Sequence, residues 1–246
     1  MRLTVLGNCG SFPGPDGACS GYLLEEGGLR VLLDCGSGVI SRLQRYCRVE
    51  ELDAIVASHL HLDHVADLLV LQYGLHSKRA LGQALPPLPL YMPPTPEDVV
   101  RLLDPWEVFT RWPVEDGMLV QIGPLALSFT RMEHSVESYA VTVRAQGVTL
   151  VYSGDTVLNP RLVEAAAGAD LLLCESTALE GQLPSGQELP HMSARQAAEV
   201  ARQAGVRRLL LTHLWYELPR EEYLAEARRV FPNADLAEEF LTYDVA

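Results

Sequence analysis

The chain has 246 residues, 48% of them hydrophobic and 21% charged, with a formal net charge of -13. That apolar content supports a sizeable core and excludes a disordered chain, while no apolar run reaches the ~18 residues that a membrane helix needs. The acidic balance works against non-specific nucleic-acid binding, which relies on basic surface.

Short β-rich runs open the chain at residues 3–6, 22–25, 30–34 and 54–58, and Gly27-Gly28 reads as the hairpin turn between the second and third. The first residues lack a long apolar segment and a small-residue cleavage site. Cysteines 9, 19, 35, 47 and 174 are odd in number and scattered. The expectation is a cytoplasmic protein with no disulfide framework and no membrane partner. Residues 38–46 fit a short helix.

The run 54–58 leads straight into His59-Leu60-His61-Leu62-Asp63-His64, four potential metal ligands inside six residues. Apolar residues at helical spacing follow over 62–73. Residues 81–96 are proline-rich and carry a short strand at 88–92, and 97–103 look helical. Trp106, Phe109 and Trp112 come next, either as a substrate lid or as a hydrophobic clasp on a long connection. His76 is read as a solvated residue without a role.

The second half repeats the style of the first. Residues 120–122, 125–131, 139–144 and 149–153 suggest an antiparallel set. Helix and strand then alternate at 161–167, 171–175, 194–204, 209–212 and 220–230. Ser193 with Gln196 forms a capping box, and Gly205 is a natural helix stop. Two sheet-plus-helix halves predict an α/β fold, a four-layer αββα sandwich, with residues 1–246 as one domain.

The ligand cluster begins at a strand exit, where α/β sites gather. His59 and His61 are two apart, so an extended backbone sends both side chains the same way. Asp63 and His64 come as the chain turns into a helix, so one run supplies two ligands to each of two ions. His134, Asp155 and His213 also follow predicted strands, and Asp155, after Gly154, is placed to bridge. Imidazole with carboxylate suits Zn2+, with manganese or iron as other candidates.

The order His-x-His-x-Asp-His, then His134, Gly154-Asp155-Thr156 and Thr212-His213, resembles the metallo-β-lactamase superfamily along the whole chain. Residues 6–13 and 32–36 resemble its first strands. The resemblance implies that His59, His61 and His134 hold one metal, that Asp63, His64 and His213 hold the other, and that Asp155 bridges them. Asp34 resembles the family's buried aspartate that orients the ligand loop. Glu175 in Cys174-Glu175-Ser176-Thr177 and His191 in His191-Met192-Ser193 resemble the ribonuclease Z-like branch, where such residues pair near the leaving group. Glu175, His191 and Asp63 are therefore the candidate catalytic residues.

A metal pair lowers the pKa of water towards neutrality, and an acid such as His191 assists a poor alkoxide leaving group. That chemistry favours phosphodiester hydrolysis over thioester or β-lactam cleavage. The branch's transfer-RNA processing enzymes carry an arm between the third-motif histidine and the bridging aspartate. Here His134 and Asp155 leave room only for a hairpin, and no cysteine-histidine cluster matches the extra zinc site of the related cyclic phosphodiesterases. The expected activity is a compact, metal-dependent phosphodiesterase on a small or cyclic phosphodiester, in a homodimer as in many relatives. An RNA-processing endonuclease, a thioesterase or lactonase, and a non-catalytic metal-binding protein are the alternatives.

Overall fold

The computed structural model describes residues 1–103, 105–182 and 190–245. The first sheet contains β1 (Arg2–Gly7), β2 (Gly21–Glu26), β3 (Leu29–Leu33), β4 (Ala54–Val56), β5 (Leu88–Met92), β6 (Phe109–Pro113) and the late strand β14 (Thr242–Asp244). Their order is β14-β1-β2-β3-β4-β5-β6, antiparallel as far as β3 and parallel beyond it. The second sheet contains β7 (Leu119–Ile122), β8 (Leu125–Met132), β9 (Ser138–Ala145), β10 (Val148–Tyr152), β11 (Leu171–Glu175), β12 (Arg208–Thr212) and β13 (Ala234–Leu236). It runs β13-β12-β11-β10-β9-β8-β7 and has the same plan, antiparallel from β7 to β10 and parallel from β10 to β13.

Strand side chains alternate between faces, and that alternation builds the layers. Leu171 and Leu173 enter the core between the sheets with Tyr22, Leu33 and Phe129. Leu172 and Cys174 point the other way, into a second core shared with Ala198 and Tyr223. That outer face carries α4 (Pro160–Ala165), α5 (Ala194–Ala204) and α6 (Arg220–Arg228). The first sheet is covered in the same manner by α1 (Val39–Leu43), α2 (Leu62–Ala80) and α3 (Glu97–Leu102), through Leu32, Ile55, Leu68 and Leu71. The αββα sandwich expected from the sequence is the observed architecture.

The capping box at Ser193 and the left-handed cap at Gly205 bound α5 as expected. Helix α2 runs on past Tyr73 to Ala80, because buried Leu75 continues the stripe of Val65, Leu68 and Leu71. Three strands escape the sequence pattern. β13 and β14 are three-residue edges, too short for a period to register, and β6 lies inside the aromatic cluster. β6 pairs in parallel with β5 and takes Phe109 into the core, while Trp106 and Trp112 stay part-exposed. His76 also differs from expectation: it is half-buried and stacks on Trp106 with ring centroids 4.8 Å apart. All five cysteines are buried free thiols. Among the described residues, no helix is long and apolar enough to cross a membrane.

Candidate metal centre

The parallel strands of both sheets deliver their exits to one place. β4 ends at Val56, and after a bend at Ser58 the chain reaches His61, which is extended and caps α2 without a side-chain hydrogen bond. The first turn of α2 then presents Asp63 and His64. Across the sandwich, His134 follows β8, Asp155 follows β10 and His213 follows β12. Gly154 has φ +56, and a Cβ there would lie 2.7 Å from the Tyr139 carbonyl oxygen, so glycine is needed for the turn that aims Asp155.

The donor atoms converge in two sets. In the first, His61 Nδ1 lies 3.1 Å from His59 Nε2 and 3.1 Å from His134 Nε2, with Asp155 Oδ2 3.6 Å from His59 and 3.9 Å from His134. In the second, Asp63 Oδ2 is 3.1 Å from His213 Nε2 and 3.7 Å from His64 Nε2. Asp155 Oδ2 completes that set, 3.2 Å from His213 and 3.4 Å from His64. Zinc–ligand bonds of ~2.0–2.1 Å imply tetrahedral edges of about 3.3 Å, and these spacings suit such a polyhedron. Asp155 belongs to both sets.

A second observation supports cations here. His64 Nε2 and Asp155 Oδ1 are buried and have no hydrogen-bond partner. Buried polar atoms without partners cost roughly 1–3 kcal/mol each, so such atoms call for a ligand. His64 Nε2 is left free because Nδ1 of the same ring bonds Asp34 Oδ2 at 2.7 Å. The donor set is one that divalent zinc, manganese or iron accepts, and it fits a pair of such ions.

Second partners fix the ligand rings. Asp34, fully buried with φ +55, accepts from the Ser58 amide (2.7 Å), the Ser58 hydroxyl (2.8 Å), the Tyr152 hydroxyl (2.6 Å) and His64. His213, also at positive φ, has Nδ1 2.8 Å from Thr177 Oγ1. His59 Nδ1 lies 3.0 Å from Ser58 Oγ, and His134 Nδ1 donates to the Pro190 carbonyl at 3.0 Å. The Ser11 amide donates to Asp63 Oδ2 at 2.8 Å. Ser58 borders the histidine run, and Ser11 and Thr177 lie in segments already matched to the family, whereas Tyr152 and Pro190 come from remote segments with no signature.

Without ions, the charges divide unevenly. Burial and neighbouring imidazoles hold His59 well below its ordinary pKa, and burial lowers His61 and His134. Burial opposes the charged form of His64 too, yet Asp155, Asp63 and Asp34 outweigh it and raise that group well above the ordinary value. The Asp63 and Asp155 carboxyls are held low by their histidines against the opposing effect of burial. Both carboxylates are thus ionised at neutral pH, ready to ligate a cation.

Next to the ligands, His191 Nδ1 donates to Glu175 Oε1 at 3.0 Å. Burial disfavours the His191 charge, but the Glu175 carboxylate prevails and pushes the pKa up to about 9. Glu175, His191 and His213 have the spacing of a third ligand group. Glu175, however, is already saturated: it also accepts from the amides of Thr156, Thr177 and Met192 and from the Thr177 hydroxyl. Its carboxylate orients His191 and is not free for a metal. A cleft of about 170 Å³ alongside His134 is lined by Glu133, Ser135, Val157 and Pro190. A larger cavity of about 310 Å³, lined by Val49, Leu52, Leu75 and Pro86 among others, includes none of the converging residues. Every residue singled out in the sequence for the centre (His59, His61, Asp63, His64, His134, Asp155, His213, Glu175, His191 and Asp34) is brought together here.

Comparison with known proteins points the same way. Residues 29–214 match the family described as the beta-lactamase superfamily domain. The probable metallo-hydrolase YhfI of Bacillus subtilis is 33% identical over 232 residues, covering 94% of each chain. The crystal structure of that metallo-beta-lactamase fold protein superimposes with a TM-score of 0.92 over 98% of each chain, at 31% identity. Ribonuclease Z of Brevibacillus brevis is 29% identical over an alignment of 306 residues that covers 97% of this chain and 95% of that protein.

Proposed function

Because this chain belongs to the metallo-β-lactamase superfamily, among its ribonuclease Z-like members, and is a metal-dependent hydrolase of that superfamily, we propose that it hydrolyses a small or cyclic phosphodiester. His59, His61 and His134 would hold one divalent cation, Asp63, His64 and His213 a second, with Asp155 shared, and zinc is the ion proposed. Such a pair supplies, when bound, an activated water nucleophile and neutralisation of phosphoryl charge.

The chain's own residues do the rest. Asp34 holds His64 in one tautomer through Nδ1, and Thr177 and Ser58 restrain His213 and His59. Ser11 fixes the Asp63 carboxylate. His191, its proton held by the Glu175 carboxylate that anchors it, donates that proton to the departing alkoxide. A positioned acid is worth roughly 10²–10⁴-fold, and it matters most for poor leaving groups. This pair is the observation that carries the phosphodiester reading, since activated thioesters and β-lactams need such help least.

A small substrate is favoured over transfer RNA. Between His134 and Asp155 the chain forms only the β9–β10 hairpin, with no arm, and the net charge is -13. The ribonuclease Z alignment is longer than this chain, so that relative carries segments absent here. The proposal places the protein in the cytoplasm as a homodimer acting on a soluble substrate.

The test is turnover of bis(p-nitrophenyl) phosphate by protein loaded with zinc, then with manganese. The expected result is a metal-dependent rate that disappears in Asp63→Ala. Full metal occupancy with no rate on any phosphodiester, and turnover of thioesters or lactones instead, would overturn the reading.

A further inference from the structure

One aromatic group borders the centre without serving it or the core. Phe12 meets Trp215 and Tyr216 edge to face, with centroids 5.3 and 5.2 Å apart and interplanar angles of 88° and 84°. Phe12 remains 42% exposed and Tyr216 39%. Each half of this wall is tied directly to a proposed ligand. Phe12 follows Ser11, whose amide holds Asp63, and Trp215 comes two residues after His213. Gly10 lets the first segment lie against the His213 ring, since a Cβ there would sit 2.5 Å from Nδ1.

The rings are not all that holds the loop, although Tyr216 packs on it at Gly14. Backbone bonds from Gly10 to Leu214 (2.9 Å), Leu214 to Asn8 (2.8 Å), Cys9 to Ala18 (3.1 Å) and Gly17 to Gly14 (3.0 Å) already fasten it. The rings are held in place in turn: the Trp215 indole N–H and the Tyr216 hydroxyl both donate to Glu217, at 3.1 and 3.3 Å. Fixed, part-exposed rings lose little freedom when a planar group stacks on them. The wall's chain segments are anchored on the Asp63–His213 side of the centre, whereas the cleft of about 170 Å³ lies alongside His134. A phosphodiester reaching the ions would carry its organic substituents towards these two flanks.

Resting on the phosphodiester reading, we propose that Phe12, Trp215 and Tyr216 form a subsite that stacks the purine or pyrimidine base of a nucleotide substrate. Base–aromatic stacking accepts any base, because every base has a π-face, so the subsite selects for nucleotides and not for one sequence.

Binding tests this independently of turnover. In a Trp106→Phe/Trp112→Phe chain, Trp215 is the remaining tryptophan of three. With zinc-loaded protein, adenosine 5′-monophosphate should quench Trp215 fluorescence and bind about tenfold or more tighter than ribose 5-phosphate. Phe12→Ala and Phe12→Leu should both reduce that preference to within about twofold, and Phe12→Trp, scored by calorimetry, should retain it. Equal affinity for the two ligands in the parent chain would overturn the proposal. So would a preference that survives in Phe12→Leu, which keeps apolar packing and removes the ring. A base preference without phosphodiester turnover would leave the subsite standing and sink the proposed reaction.

Discussion

Of the two donor sets that meet at Asp155, the one formed by Asp63, His64 and His213 is backed by a carboxylate, a hydroxyl and a backbone amide, from Asp34, Thr177 and Ser11. Among the described residues, the set formed by His59, His61 and His134 is backed by the Ser58 hydroxyl, the Pro190 carbonyl and a 3.4 Å contact from His61 Nε2 to the Ser135 hydroxyl. The first set brings Asp63 as a charged ligand of its own; the second is all imidazole apart from the shared Asp155. Carboxylate backing raises the basicity of a ligating histidine. The centre therefore has a stiff half with two carboxylates and a softer half with only the shared one, and if each holds an ion as proposed, the soft half should release its own first.

Removing a ligand from each half breaks the comparison most directly. Asp63→Ala should reduce activity to background and lose the tightly held ion. His61→Ala should also lose activity, yet keep one ion per chain through desalting. Elemental analysis of both variants checks this, and equal metal loss from the two would remove the distinction between the halves.

His191 belongs to neither half, although its ring centroid lies 5.1 Å from that of His213 and 5.2 Å from that of His134. His191→Ala should keep both ions and slow alkyl phosphodiesters by roughly 10²–10⁴-fold, with a much smaller effect on nitrophenyl esters. The pH dependence has a definite sign. Without ions the pKa is raised to about 9, and bound cations oppose the imidazolium charge. The acid carries its proton below the limb and loses it above, so the alkaline limb of kcat should fall at or below about 9. Glu175→Gln removes the carboxylate that raises the value, and the limb should shift down towards the ordinary histidine value. A limb indifferent to both substitutions would assign it to another group.

The stiff and soft halves were unequally legible in the sequence. All seven proposed ligands were visible, because five follow apolar strands and Asp63 and His64 open the helix directly after one, and strand exits are what the sandwich gathers. The layers followed from the two sheet-plus-helix halves, and α5 from its capping box, whereas the alternation of Leu171 to Cys174 between two cores shows only in the structure. The features that make the halves differ were mostly hidden. Thr177 and Ser11 reach His213 and Asp63 across 36 and 52 positions of chain, and no local pattern encodes such a bond. Tyr152 looks like any inward strand residue until its hydroxyl is seen on Asp34. The edge strands β13 and β14 were lost for a simpler reason, that three residues cannot display a period.

Asp34→Asn makes the smallest change that still separates the halves. It keeps the volume and one acceptor oxygen, which can go on receiving the Ser58 amide. It replaces the other oxygen, on which His64 Nδ1, the Tyr152 hydroxyl and the Ser58 hydroxyl converge, with an amide nitrogen that cannot accept from them. His64 then loses both its fixed tautomer and its charge support, while His134, which leans on Pro190, is untouched. Replacing such a supporting group typically costs 10–100-fold in metal affinity or activity. Competition with a chromophoric chelator should therefore show the tight ion weakened by about that factor, with the looser ion little changed and the far-UV circular dichroism intact. Equal weakening of both ions would mean that Asp34 supports the whole ligand loop through Ser58, and that the two halves are one mechanical unit.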